Sequence, residues 1–134
     1  MSNLAIALAL ILAGETPDFD HQAVGDKHLP IERRAYGRMQ IRHTVLKDLN
    51  SWSGLRFNRE DSQSEMDVQM AAWWLRRKCG TRASVRTYLM TWNAGVVGVE
   101  RGQGRPYVKR IVMNRKHKPD HYRTAMEIVR RYQI

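Results

Sequence analysis

The sequence predicts a mainly helical fold, a compact single domain over residues 1 to 134 built around a buried N-terminal helix, with irregular loops. Three observations carry that prediction. Residues 3 to 13 are apolar on every side, the pattern of a helix surrounded by protein. Elsewhere apolar residues recur at helical spacing, and the strict alternation of a strand is scarce. No repeat, low-complexity tract or linker interrupts the chain, and 134 residues suffice for one domain with one core.

Each element follows from local chemistry. Gly14 is expected to stop the first helix, and Thr16-Pro17-Asp18 cannot easily continue it. Residues 18 to 34 are polar and broken by Gly25 and Pro30, which reads as a long loop or a short irregular hairpin. Residues 38 to 50 return to helical spacing, with Met39, Val45, Leu46 and Leu49 on one face, and Ser51-Trp52-Ser53-Gly54 closes that helix. Residues 55 to 63 read as surface loop. Ser64-Glu65-Met66-Asp67 is a helix-capping signal, a hydroxyl followed by acids that suit a helix N-terminus. The helix behind it carries Met66, Met70, Trp73 and Trp74 and ends at Gly80. Another helix starts near Ser84 and runs through Val85, Tyr88, Leu89 and Trp92; after Gly95 and Gly98 comes a flexible stretch to Gly104. Pro119 and Asp120 open the last helix, with Tyr122, Met126, Val129 and Tyr132 as its inward stripe.

Composition narrows the function classes. Hydrophobic residues make up 43% and charged residues 27%, an ordinary globular balance. The net charge of +10 favours a polyanionic partner, and nucleic acid or a bacterial cell wall would both fit. The one cysteine, Cys79, excludes an internal disulfide and any multi-cysteine metal centre, and at a helix end it reads as a packing residue. The apolar start lacks the cationic residues of an export signal and is too short to span a bilayer. It is read as the first core helix, with no signal peptide and no membrane span expected. His117 and His121 flank Pro119, which breaks helical geometry between them, so no metal site is expected; no cofactor is expected either.

Glu15 stands out by position. It follows the apolar helix directly, which puts its carboxyl at the edge of the core beside a break in the chain. Partial desolvation there disfavours the charged form and suits a general acid.

Several segments then fall in one order. Glu15-Thr16 is followed by Ala23-Val24-Gly25-Asp26, by Gly37-Arg38-Met39-Gln40-Ile41, and by the helix from Asp67 to Leu75. Thr91-Trp92-Asn93-Ala94-Gly95 and Pro106-Tyr107-Val108-Lys109-Arg110-Ile111 come last. This series resembles the soluble lytic transglycosylases and goose-type lysozymes. Their pattern has Glu-Ser, Gly-Leu-Met-Gln-Ile, an Asn-initiated helix, Tyr-Asn-Ala-Gly and Tyr-Val-x-x-Ile. The sequence departs from it at Arg38 for Leu, Asp67 for Asn, Ala71 for Gly and Trp92 for Tyr.

The resemblance implies a lysozyme-like fold and cleavage of the bond between N-acetylmuramic acid and N-acetylglucosamine, with Glu15 as acid and base. It implies that Tyr107 hydrogen-bonds Glu15 or the adjacent sugar, that Gln40 and Asn93 line the sugar groove, and that Thr16 can bond an acetamido group. Gly37 would let the backbone approach the sugar, and Met39 would join the substrate site. The implied partners are peptidoglycan strands, and phage virion or cell-wall-complex proteins. The implied location is a virion or host cytoplasm, with action at the periplasmic wall. A true hydrolase would need a second acid, for which Asp18, Asp20 and Asp26 are within reach in sequence. A nucleic-acid-binding module is the reading from another class, using the cations with Trp52, Trp73, Trp74, Trp92 and Tyr107. Those Trp residues fall at helical spacing among aliphatics, which points to core, and no nucleic-acid motif is present.

Overall fold

The computed structural model describes every residue from Met1 to Ile134. At its centre lies α1 (Asn3–Glu15), whose first free amides are capped by Ser2, the hydroxyl accepting from the Ala5 amide at 3.1 Å. Leu4, Ala5 and every residue from Ala7 to Ala13 are buried, because other helices surround α1. Gly14 does not stop the helix. It sits inside the last turn, where a side chain would collide with Ile111, so its smallness admits a neighbouring helix. The stop falls at Thr16, whose extended backbone (φ −133°) leads into Pro17.

The next segment forms the short irregular hairpin. Strands β1 (Val24–Gly25) and β2 (Ala35–Tyr36) pair antiparallel, Val24 opposite Tyr36 and Gly25 opposite Ala35. A tight turn then follows, with Gly37 at φ +80° and Gln40 at φ +55°. Those two left-handed residues keep the chain out of helix, so α2 (His43–Ser53) begins five residues later than periodicity suggests. Gly54 closes it in the left-handed conformation.

Residues 55 to 63 are not all loop. A one-turn helix, α3 (Arg59–Ser62), is held by a reciprocal bond pair between Asn58 and Asp61. It turns Ser62 inward to full burial. Helix α4 (Asp67–Cys79) starts after Met66, and the Ser64 hydroxyl accepts from the Met66 amide, just ahead of the helix. Met66 is exposed, Trp73 is half-buried against Phe57, and Met70 and Trp74 enter the core. Gly80 ends α4 as expected. Cys79 is half-buried, and that burial pushes its thiol pKa up, away from a reactive thiolate.

Helix α5 (Val85–Glu100) is capped by Ser84 and kinks at Gly95 without ending there. The helix runs past Gly95 and Gly98 to Glu100, and the expected flexible stretch is confined to residues 101 to 104. Helix α6 (Arg105–His117) begins with Pro at its second position, where no amide is lost. The last helix, α7 (Pro119–Arg130), turns Ala125 and Val129 fully inward, while Tyr122, Met126 and Tyr132 lie half-buried at the core's edge.

The result is seven helices and one small two-stranded ladder, a mainly helical fold. Helices α4, α5, α6 and α7 all pack on α1, so one core of 26 buried residues joins the chain ends to its middle. Truncating a fully buried α1 residue such as Leu8 or Leu12 to alanine would cost about 2–5 kcal/mol. No helix is long and apolar enough to cross a membrane.

Candidate active-site cleft

The last turn of α1 delivers Glu15 to the wall of an open cleft of about 770 Å³. Its walls come from the β1–β2 hairpin, the turn at Gln40, α2, α4, the kinked half of α5 and α6. Helix α6 places Tyr107 beside Glu15, and the phenol donates to the Glu15 Oε1 at 2.7 Å. That hydroxyl is the only protein donor to the carboxyl.

Burial raises the pKa of Glu15 above the ordinary value, since a desolvated carboxylate loses its hydration. The Tyr107 bond and the charges of Arg110 and Arg42 oppose this, while Asp26 adds to it; burial wins. The Tyr107 phenol is held well above its usual range, first by burial and then by the adjacent carboxyl, so it remains a donor. The arrangement suits a group that must both hold a proton and release it.

Sequence reasoning located part of this cleft. Gln40 and Asn93 line it together with Glu15. The Gln40 amide is tethered by donating to the Gly37 carbonyl at 2.8 Å, and Asn93 stands two residues before the α5 kink. Three other expected groove residues lie elsewhere. Met39 has no exposed surface and belongs to the core, because the turn at Gly37 folds it inward. Thr16 is buried, and its hydroxyl donates to the Arg38 carbonyl at 3.3 Å instead of facing a ligand. Gly37 needs its glycine for a different neighbour: a side chain there would strike the Ser62 carbonyl. The backbone that approaches closely is the protein's own.

One of the three still acts on the cleft indirectly. Thr16 is fixed from two sides, since the His121 ring meets its carbonyl at 3.2 Å and stacks on Phe19 with centroids 4.3 Å apart. That clamp sets the direction in which α1 ends, and so where Glu15 points. Of the acids considered as a second catalytic group, only Asp26 lines the cleft, where it pairs with Arg42 at 3.3 Å. Asp20 accepts from the Gln22 amide at 2.8 Å, which is turn formation, and Asp18 lies outside the cleft.

No local pattern announced the cleft's cations. Arg42, Lys47, Lys78 and Arg110 all line it, alongside Asp48 and Trp92. Trp74 donates its indole N–H to Asp48 at 2.9 Å, Lys78 reaches the same oxygen at 3.2 Å, and Trp92 packs edge-on to Trp74 at 5.8 Å. Helical spacing of Thr44, Lys47 and Asp48 hinted that they share a face, but nothing local said what that face looks at.

Two departures from the family pattern noted above turn out to be partners. The Arg38 Nε donates to Asp67 Oδ2 at 2.7 Å and its Nη2 to Oδ1 at 3.2 Å, both residues buried. Tyr132 and Glu65 complete the cluster, with the Arg38 Nη2 2.6 Å from the Tyr132 hydroxyl. Trp74 is buried and Trp52, Trp73 and Trp92 are half-buried, so none presents the fully open face that base stacking uses. His, Cys, Asp and Glu nowhere gather in threes able to hold a metal ion.

Compared with known protein families, curated proteins and solved structures, the chain matches none.

Proposed function

We propose that this protein is a peptidoglycan lytic transglycosylase with Glu15 as its single acid and base. The observation that carries the reading is the Glu15–Tyr107 pair at the desolvated end of a cleft large enough for several sugar rings. Protonated Glu15 gives its proton to the glycosidic oxygen between N-acetylmuramic acid and N-acetylglucosamine as that bond breaks. The positive charge developing at the sugar's anomeric carbon is met by its own acetamido oxygen. Glu15, now a carboxylate, takes the proton of the C6 hydroxyl, whose oxygen closes a 1,6-anhydro ring. No water is consumed, so one carboxyl suffices, unlike the two-carboxylate scheme of most glycosidases.

Gln40 and Asn93 offer amides along the cleft, and Trp92 an apolar face for a sugar ring. Tyr107 fixes the carboxyl's orientation through Oε1. On this reading the partners are glycan strands, with virion or wall-complex proteins as carriers from a virion or host cytoplasm to the periplasmic wall.

One observation favours a second reading, a hydrolase that makes reducing ends: Asp26 lines the same cleft as Glu15 and could place a water. Its ion pair with Arg42 argues for a structural use instead. Mass spectrometry of the muropeptides released from purified peptidoglycan separates the two. Ends of 1,6-anhydro-N-acetylmuramic acid, lost in Glu15→Gln and kept in Asp26→Asn, are the expected result. Reducing ends lost in both variants would install the hydrolase, and no released product at all would overturn both readings.

A further inference from the structure

The cleft's cations are unequal. Arg42 is neutralised by Asp26 at 3.3 Å and Lys78 by Asp48 at 3.2 Å. Arg110 has no ion pair and no hydrogen bond to the protein, although it lines the cleft beside Glu15. Its guanidinium lies 5.2 Å from the centre of the Tyr107 ring, and Tyr107 is the residue bonded to Glu15. A place over an aromatic face steadies the guanidinium of this exposed residue while its N–H groups stay free to bind a carboxylate in two parallel bonds. Lys47 also has no acidic partner, but a flexible point charge is a poorer fixed receptor.

We propose that Arg110 is a carboxylate-binding subsite, which selects glycan strands carrying an anionic substituent next to the bond that is cleaved. The inference rests on the muralytic reading above. Two alternative sources of carboxylate sit near that bond in such a strand: the free lactyl group of an N-acetylmuramic acid without a stem or, where a peptide stem has converted the lactyl carboxyl to an amide, the acids of that stem.

Occupation of the subsite also reaches the catalytic proton. The charged groups around Glu15 are Arg110 on α6, Arg42 at the start of α2 and Asp26 after β1, with the Tyr107 hydroxyl in direct contact. Arg110 and Arg42 favour the ionised carboxyl. A substrate carboxylate on Arg110 cancels one of those charges, so Glu15 holds its proton to higher pH in the complex than in the free protein. The alkaline limb of kcat then lies above that of kcat/KM for an anionic strand. Arg110→Gln raises the limb of kcat/KM and closes the gap, a change that a purely structural role for Arg110 would not produce.

The test is calorimetric binding to the full chain carrying Glu15→Gln, with three oligomers of equal length. One bears free lactyl carboxylates, one their methyl esters, and one complete peptide stems. The ester is expected to bind about tenfold more weakly than the free acid, and adding Arg110→Gln, with the melting curve unchanged, abolishes that difference. If the stem-bearing oligomer alone depends on Arg110, the carboxylate recognised belongs to the peptide and the subsite stands. Tight and equal binding of all three, insensitive to Arg110→Gln, would overturn the subsite and leave the muralytic reading intact. Failure of every oligomer to bind would remove that reading, and the subsite with it.

Discussion

Glu15 and Asp67 are both carboxyl groups withdrawn from solvent in the same small domain, and they are solvated by the protein in opposite ways. Asp67, with no exposed surface, receives two bonds from Arg38, at 2.7 and 3.2 Å, and one from the Val68 amide at 2.7 Å. Glu15 receives one neutral hydroxyl. The first arrangement replaces lost water with a cation and several dipoles, and it ties β2's following turn to the start of α4. The second replaces it only in part, and burial raises the Glu15 pKa. Burial alone therefore does not mark a candidate catalytic acid. What marks it is burial with too few donors, next to open space.

The Arg38 side of the comparison is equally telling. Burial would lower the guanidinium's pKa, but the bond and charge of Asp67, with Tyr132 and Glu65, more than offset it, so the cation is held. Glu65, mostly exposed at the rim of this cluster, is kept below the usual carboxylate range by the Tyr132 hydroxyl, with Arg38 and His21 contributing. Through its carbonyl, Arg38 also receives the Thr16 hydroxyl, one residue beyond Glu15. The paired carboxylate thus steadies the chain that presents the unpaired one.

The contrast breaks most visibly at Glu15. Glu15→Gln keeps shape and removes the proton, so release of soluble muropeptides should fall by about 10²–10⁴-fold while the fold survives. Substantial residual turnover with a normal melting curve would strip Glu15 of its role. At Asp67 the expectation reverses, with a loss in stability and little change per folded molecule. Asp67→Ala strands the Arg38 charge and should cost about 3–5 kcal/mol in urea unfolding. The double substitution Arg38→Leu with Asp67→Asn removes both charges together, so it should cost less than the two single changes summed; strict additivity would mean the pair is not coupled.

Tyr107→Phe probes the one donor that Glu15 has. Losing it should slow the reaction about tenfold, and because that bond lowers the Glu15 pKa, the alkaline limb of the rate profile should move to higher pH. A limb that stays put would place the ionisation elsewhere. The smallest effect is on stability against pH. A carboxyl whose folded pKa is raised above 4.5 stabilises the fold fully below that value and withdraws the contribution as pH rises through the folded pKa. The melting temperature of the native protein should therefore drop relative to Glu15→Gln on going from acid to neutral pH. Parallel curves for the two proteins would show that Glu15 titrates alike folded and unfolded.

Much of the fold was legible because it rests on near neighbours in sequence. An all-round apolar run can only be a surrounded helix, Gly80 and Gly54 end helices by backbone geometry, and Ser84 caps the helix it precedes. The position of Glu15 at the end of that run was legible for the same reason. Where local signals misled, a distant contact had overruled them. Gly14 continues its helix because Ile111 needs the space, and Met39 leaves its expected helix because of the turn at Gly37.

By itself, then, the sequence determined the helical class, the buried first helix and the carboxyl at its end. These depend on periodicity, capping and chain breaks within a few residues. Only the tertiary structure decided that Tyr107 would reach Glu15 across 92 positions, that Arg38 and Asp67 would neutralise one another across 29, and that Arg110 would be left without an acid. Pairings of that kind are set by how helices cross, because the electrostatic environment of a buried charge depends on which groups lie within a few ångströms, whatever their distance along the chain.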